Sequence, residues 1–207
     1  MCAKYRKFKW STRLEPALTH SESIAFGSIM QMVGRLLVEE LNPELIAILQ
    51  QPEIMSVFCE LDSANAEYLT QTWDAAAYEQ AAVDYCYLFV LPKGVSPMAA
   101  AWHDKGAPSE QASVRIQHAV ATINAQWDLT LPPNFRELPP EHTGLLYFIA
   151  GRLACAEDPE AQQQALPFLQ TTTAGWLESF HQALTASSTP SFYRSVGALA
   201  ANMAQMK

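Results

Sequence analysis

The chain has 207 residues, of which 49% are apolar and 10% aromatic, a composition typical of an ordinary soluble domain with a sizeable core. Its formal net charge of −8 disfavours a nucleic-acid partner, which needs a basic surface, and suits a basic partner instead. No apolar run reaches the roughly 20 residues of a membrane helix, and the N-terminus lacks the apolar core of a signal peptide. We therefore expect one cytoplasmic domain over residues 1–207, without stable membrane insertion.

The first 20 residues form a basic arm in which aromatic residues alternate with cationic ones. The cationic residues are Lys4, Arg6, Lys7, Lys9 and Arg13, and the aromatic ones are Tyr5, Phe8 and Trp10. We expect this arm to be poorly ordered or to lie across the acidic body, rather than to form a binding site.

Three helices are predicted in the next part of the chain. Apolar residues at helical spacing predict the first, from Ser21 to about Leu41. Asn42 is a cap residue followed by proline, so a short second helix should begin at Pro43. Pro52 opens the third in the same way.

The stretch from Tyr78 to Trp102 predicts a central helix that is apolar on two sides, with neighbours on both, and Asp74 before it is a suitable cap. One stripe comprises Tyr78, Ala81, Ala82, Tyr85, Leu88 and Phe89, and the opposite stripe comprises Val83, Tyr87 and Val90. Pro92 has no amide hydrogen and disfavours helical geometry at Leu91, so the helix should end there. A loop with apolar residues follows as far as Trp102.

A second central helix is predicted from Glu141 to Ala156, after a proline-rich connector, because its residues are apolar almost all round. Gly144 and Gly151 lie seven residues apart on one face, which would let another helix approach closely. Other helices should begin at Ser109, at Asp158-Pro159, after Thr171-Thr172-Thr173 and after Thr189-Pro190, and Pro167 should kink or end the one that contains it. No segment alternates like a strand. The predicted fold class is all-α, a single-domain bundle of about eight to ten helices with two central buried ones.

Enzyme, metal and disulfide patterns are absent from the sequence. Cys2, Cys59, Cys86 and Cys155 are scattered without a C-x-x-C pair or a histidine at ligand spacing, so we expect buried, reduced thiols. The phosphate-binding loop, the dinucleotide-binding glycine motif, the serine-hydrolase elbow and H-E-x-x-H do not occur. We expect a protein that is not an enzyme and that needs no cofactor or metal.

Glu141 and His142 are the most informative polar residues. Adjacent helix residues point about 100° apart, so this pair cannot easily hold one ion. Two interpretations remain open: a helix start with a satisfied histidine, or a polar handle beside an apolar groove that recognises an extended peptide.

Three segments together resemble the TorD/DmsD family, the cytoplasmic chaperones of exported molybdoenzymes that are also called redox enzyme maturation proteins. They are the helix end from Tyr85 to Pro92, the loop to Trp102, and Pro139-Pro140-Glu141-His142-Thr143-Gly144. The C-terminal segment with Gly175-Trp176-Leu177 and Phe192-Tyr193-Arg194 is similar to the DmsD-like branch. The likeness extends from about Ala77 to the C-terminus. It departs from the family pattern at Glu141, which replaces an aspartate, and at residues 98–101, where the family has prolines before the tryptophan.

The resemblance implies an all-helical chaperone that binds the twin-arginine leader of a molybdopterin-containing oxidoreductase and assists the apo catalytic subunit before export. It implies that the peptide-binding residues are Tyr85, Leu88, Phe89, Pro92, Trp102, Pro140, Glu141 and His142. The leader's guanidinium groups would pair with Glu141, Asp84 or Asp104.

Two other functions stay open, together with the oligomeric state. One is a small-molecule or nucleotide-binding protein, for a pterin or GTP, that uses Glu141, His142 and the proline-rich connector. The other is a helical adaptor for a folded partner. The chain would be a monomer or a domain-swapped dimer with a hinge near Gly94 or Pro132-Pro133.

Overall fold

The computed structural model describes residues 20–102, 109–187 and 190–206. These residues form eleven α-helices and no strand, which confirms the predicted all-α class. Residues 1–19 of the basic arm, which include Cys2, lie outside the described residues, as do Asp104 and Thr189. No helix in the described part of the chain is long and apolar enough to cross a membrane.

The helices follow one another along the chain with short connections. In order they are α1 (His20–Leu36), α2 (Pro43–Leu49), α3 (Pro52–Leu61), α4 (Ala64–Thr70), α5 (Ala75–Tyr85), α6 (Ser109–Gln126), α7 (Pro133–Arg136), α8 (Thr143–Ala154), α9 (Pro159–Thr173), α10 (Leu177–Ala186) and α11 (Ser191–Ala204). A π-helix (Cys86–Val90) continues α5, and a 3₁₀ turn (Ala99–Ala101) lies in the following loop. The short α7 lies inside the proline-rich connector, where no helix was predicted, because Phe135 is anchored in the core and stacks on Phe148.

Helix starts follow the predicted caps closely. The side-chain oxygen of Asn42 accepts a hydrogen bond from the amide of Leu45, and Asp74 and Asp158 make the same kind of bond at the starts of α5 and α9. Each cap satisfies an amide that has no partner within the helix, which is why these boundaries can be recognised from local sequence.

The centre of the molecule is the contact between α8 and α1. All of α8 is buried except Arg152. Its backbone meets that of α1 at two glycine pairs: a Cβ added at Gly151 would lie 2.5 Å from the Gly27 carbonyl oxygen, and one at Gly144 would lie 2.7 Å from the Gly34 carbonyl oxygen. The predicted close approach at Gly144 and Gly151 is therefore confirmed, and α8 is the central helix that the sequence predicts.

In the C-terminal half, Pro167 does not end the helix that contains it, and the predicted start of α10 is wrong. Helix α9 continues through Pro167 to Thr173, because the core contacts of Ala165, Phe168 and Leu169 outweigh one lost backbone hydrogen bond. Thr172 and Thr173 do not begin α10. Their hydroxyls donate to the carbonyl oxygens of Phe168 and Leu169 in the preceding turn, so they close α9.

Candidate functional site

An apolar ridge on the surface runs along α5 and the π-helix. Six large apolar side chains are exposed in the described part of the chain, and four of them are Val83, Tyr87, Val90 and Leu91, with 41%, 64%, 63% and 44% of their surface accessible. Val83, Tyr87 and Val90 lie four and three residues apart and so share one side of the helix, and Leu91 follows directly where the helix ends. We call these four residues the apolar ridge.

The exposure of the apolar ridge corrects the sequence-based prediction. Val83, Tyr87 and Val90 were predicted to contact a neighbouring helix, but they face solvent, so α5 is buried on one side only. A signal for this was available in the sequence. Glu79 and Gln80 precede Val83 by four and three residues, and polar residues on the same side of a helix indicate a solvent-facing surface.

The opposite stripe lies in the core. Tyr85, Leu88 and Phe89 are 8%, 2% and 8% exposed. The Tyr85 hydroxyl donates to the carbonyl oxygen of Leu37 at 3.3 Å, and the rings of Tyr85 and Phe89 pack against Tyr193 of α11. These three residues, which the resemblance implies to be peptide-binding, support the apolar ridge from beneath and present almost no surface to a ligand.

The π-helix gives the end of α5 its shape. The amide of Leu91 donates to the carbonyl oxygen of Cys86 at 3.0 Å, five residues back, which is the wider turn found at many functional sites. The chain then folds back over this turn. The Val95 amide donates to the carbonyl oxygen of Leu88, and Gly94 lies so close to the Leu88 and Tyr87 carbonyl oxygens that a Cβ there would collide with both. Glycine is therefore required at position 94.

A groove lies alongside the apolar ridge where the chain folds back. It has a volume of about 540 Å³, and its walls are formed by Tyr87, Leu88, Leu91, Pro92, Lys93, Gly94, Val95 and Ser187. Pro92 is exposed at its edge. The ridge and the groove together offer a continuous apolar surface of the kind that an extended or helical peptide segment covers.

The loop after the groove joins the two halves of the predicted site. The Thr143 amide donates to the Pro97 carbonyl oxygen at 2.8 Å, and the Ala99 amide donates to that of Glu141 at 3.1 Å. These bonds hold Met98 beside His142 as an isolated antiparallel bridge. The motif at the end of α5 and the motif at the start of α8 are therefore neighbours in space.

His142 is an N-cap rather than a free polar handle. Its Nδ1 accepts a hydrogen bond from the Gly144 amide at 3.2 Å, and the residue is 8% exposed. Burial lowers the pKa of His142 to about 4, so the ring is neutral at physiological pH. The geometry favours the interpretation of a helix start with a satisfied histidine.

Glu141, Pro140 and Trp102 are half-buried. A carboxylate oxygen of Glu141 accepts a hydrogen bond from the Ser113 hydroxyl at 2.5 Å. The Trp102 indole nitrogen donates to the Ser96 carbonyl oxygen at 2.7 Å, and its ring packs edge-on against Phe180. Glu141 and Trp102 thus have structural partners, and all three side chains keep some accessible surface.

A second cavity of about 530 Å³ lies between α1, α2, α7 and α8. Its walls are mainly apolar, and Arg35 at its edge is paired with Glu39 and Glu44 at 2.6 and 2.8 Å. No group of three or more His, Cys, Asp or Glu side chains in the described residues could hold a metal ion. The described thiols, Cys59, Cys86 and Cys155, form no disulfide and are half-buried, less buried than predicted.

Comparison of the chain with protein-family models, curated proteins and solved structures finds no match.

Proposed function

We propose that this chain is a non-enzymatic chaperone that binds the twin-arginine leader of a molybdopterin-containing oxidoreductase and assists the apo catalytic subunit before export. The observation that carries the proposal is the apolar ridge with its groove, on a chain whose net charge is −8. Monomeric soluble proteins seldom expose clustered large apolar side chains unless they bind a partner there. The resemblance of the surrounding segments to the TorD/DmsD family supports the same conclusion.

The chemistry of such a leader matches this surface. A leader of this class carries an apolar segment and two guanidinium groups, and the protein offers an apolar groove within an acidic field. Burying two or three large leader side chains contributes roughly 1.5–3 kcal/mol each, from which the cost of ordering the leader is subtracted. We expect a dissociation constant in the micromolar range or below.

The test is calorimetric titration of the full chain with leader peptides of molybdoenzymes from the same genome. We expect wild type to bind, and Tyr87→Ser with Val90→Ser to weaken binding by about tenfold or more, because apolar contact is lost. Val114→Ser is the matched control, since Val114 of α6 is 59% exposed, close to the 63% of Val90, but lies on another helix. Failure of wild type to bind any such leader would refute the proposal.

Substitutions at Leu88 or His142 are poor tests of peptide binding. Both residues are buried, so Leu88→Ala would open a cavity and His142→Ala would remove a helix cap. Either change lowers stability whether or not a leader binds to the ridge.

A second candidate function rests on the cavity beside Arg35. Its volume and apolar walls suit a small planar molecule, and three of its residues, Pro132, Asn134 and Phe135, belong to the proline-rich connector. Glu141 and His142 do not line it. The carboxylates of Glu39 and Glu44 already pair with Arg35 and would repel a phosphate, so the cavity suits an uncharged heterocycle such as a pterin better than GTP. Saturable binding of a pterin that survives substitution of Tyr87 and Val90 would favour this function.

A further inference from the structure

The N-terminal arm, residues 1–19, has the opposite charge to the rest of the chain. Its five lysines and arginines against one acidic residue give it a formal charge of +4, which leaves −12 for residues 20–207 of a chain whose net charge is −8. Three aromatic residues, Tyr5, Phe8 and Trp10, lie among the cationic ones. The arm therefore combines apolar side chains and positive charge, the two properties that suit a segment for an apolar surface on an acidic body.

The apolar ridge and its groove match both properties of the arm. Of the described residues that line the groove, only Lys93 is charged, and the groove's volume of about 540 Å³ exceeds that of a tryptophan side chain, so it suits an uncharged aromatic ring. Glu79 is exposed four residues before Val83 and so lies on the same side of α5 as the ridge. Aromatic side chains of the arm can thus enter the groove while its cations face Glu79 and the acidic body.

The arm is long enough to reach the ridge. It joins the body at His20, where α1 begins, and the other end of α1 adjoins α5, because the Tyr85 hydroxyl donates to the Leu37 carbonyl oxygen just after α1. The 17 residues of α1 span about 25 Å, and crossing α5 to its exposed side adds about 10 Å, the diameter of a helix. Phe8 lies twelve residues before His20, and an extended chain of that length covers about 40 Å.

A tethered arm needs only a weak contact to cover the ridge. A short flexible tether gives an effective concentration on the order of 1 mM, so a contact with a dissociation constant of about 0.5 mM would be occupied about two thirds of the time. A second copy of the chain is a poorer occupant, because two bodies that each carry −12 over residues 20–207 repel one another. The arm brings the opposite charge and is present at every ridge.

We propose that residues 4–13 of the N-terminal arm cover the apolar ridge of the unliganded chain, with an aromatic side chain in the groove. The arm shields the ridge from contact with other molecules, and a peptide that binds to the ridge must displace it. This inference concerns the chain without a ligand, so it goes beyond the proposed function and does not depend on it.

The test places the photo-reactive residue benzoylphenylalanine at position 87 of the full chain, where it keeps an aromatic group on the ridge. After irradiation without any peptide, we expect mass spectrometry to find it linked to residues 4–13. A mixture of isotope-labelled and unlabelled chains shows whether each link lies within one chain. The control has the same residue at position 114, since Val114 is 59% exposed but lies on α6, and its yield of links to the arm should be several-fold lower.

Variants of the arm identify the side chains that make the contact. Phe8→Ser with Trp10→Ser should lower the yield at position 87 several-fold, whereas Ser11→Ala with Thr12→Ala, which changes neither charge nor aromatic content, should leave it unchanged. If a twin-arginine leader binds to the ridge, the Phe8→Ser, Trp10→Ser variant should bind it about threefold more tightly, because an arm bound two thirds of the time no longer competes.

The inference is overturned if positions 87 and 114 link to the arm with equal yield, or if position 87 links only to the arm of a second chain. Failure of every leader to bind would refute the proposed function alone, since the link within one chain at position 87 is measured without a leader.

Discussion

The side chain of His142 caps α8 and is 8% exposed. Burial of the ring disfavours its protonated, charged form. The pKa of His142 is lowered from 6.5 to about 4 by burial, so the folded protein holds the neutral form over most of the physiological range. An N-cap needs an acceptor, and only a ring nitrogen without a proton can accept from the Gly144 amide. Protonation of His142 would therefore place a charge in a buried site and would remove the acceptor for the Gly144 amide.

The stability of the folded chain should depend on pH through His142. Between about pH 4 and pH 6.5 the unfolded chain binds this proton more readily than the folded one, so the free energy of unfolding rises with pH. The contribution is fully present above pH 6.5 and is lost as the pH falls to about 4. His142→Asn keeps a cap acceptor and removes the titrating ring, so urea unfolding at pH 4.5 and pH 7 should differ less than in wild type, by about 2–3 kcal/mol.

The control for this effect is His118→Asn on the exposed side of α6, which should leave the pH dependence as in wild type. If His142→Asn unfolds with the full pH dependence of wild type, another group is responsible for it.

At the scale of elements, the packing of α1 on α8 depends on glycine. Gly27 and Gly34 on α1 lie seven residues apart, as do Gly144 and Gly151 on α8, and each pair brings backbone against backbone. Backbone atoms cannot move aside as the end of a side chain can. At these contact positions between α1 and α8, only a residue without a Cβ fits.

Gly151→Ala should destabilise the protein. The added Cβ would lie 2.5 Å from the Gly27 carbonyl oxygen and 2.8 Å from the Gln31 amide nitrogen, so α1 and α8 must separate. We expect a loss of about 1–3 kcal/mol in the free energy of unfolding, even though alanine is the better helix former. Urea denaturation measures this.

Gly197→Ala in α11 is the matched control for Gly151→Ala. There the nearest atom is the flexible Cδ1 of Leu184 at 2.7 Å, so the change should be neutral or stabilising within about 1 kcal/mol. Equal losses for the two variants would show that close backbone contact is not the cause.

At the scale of the whole molecule, the charge of −8 acts together with the apolar ridge. A negative field attracts a cationic peptide from a distance and is screened by salt, whereas apolar contact at the groove is not. The affinity for a leader should therefore have an electrostatic contribution that salt weakens and an apolar contribution that remains at high salt.

Raising the salt concentration from about 50 mM to about 500 mM should weaken binding of a twin-arginine leader several-fold without abolishing it. The same leader with both arginines replaced by citrulline, which removes their charge, should bind with almost the same affinity at both concentrations. Calorimetry at the two concentrations tests this, and an arginine-leader affinity that is unchanged by salt would show that the field does not contribute.

Local chemistry made much of the fold predictable. Asn42, Asp74 and Asp158 cap helices as expected, and Gly144 and Gly151 mark a close helix contact. Local sequence did not predict features that depend on packing between residues far apart in the chain. Pro167 is tolerated inside α9 because the residues around it are anchored in the core.

The all-α class and most helix starts could be predicted from the sequence, because caps, prolines and apolar periodicity act over a few residues. Which side of α5 forms the surface depends instead on long-range packing. Two apolar stripes lie on that helix, and periodicity alone does not show which of them is buried. The position of Tyr193 on α11 and of the Leu37 carbonyl after α1 puts Tyr85 and Phe89 inside, which leaves Val83, Tyr87, Val90 and Leu91 exposed to solvent.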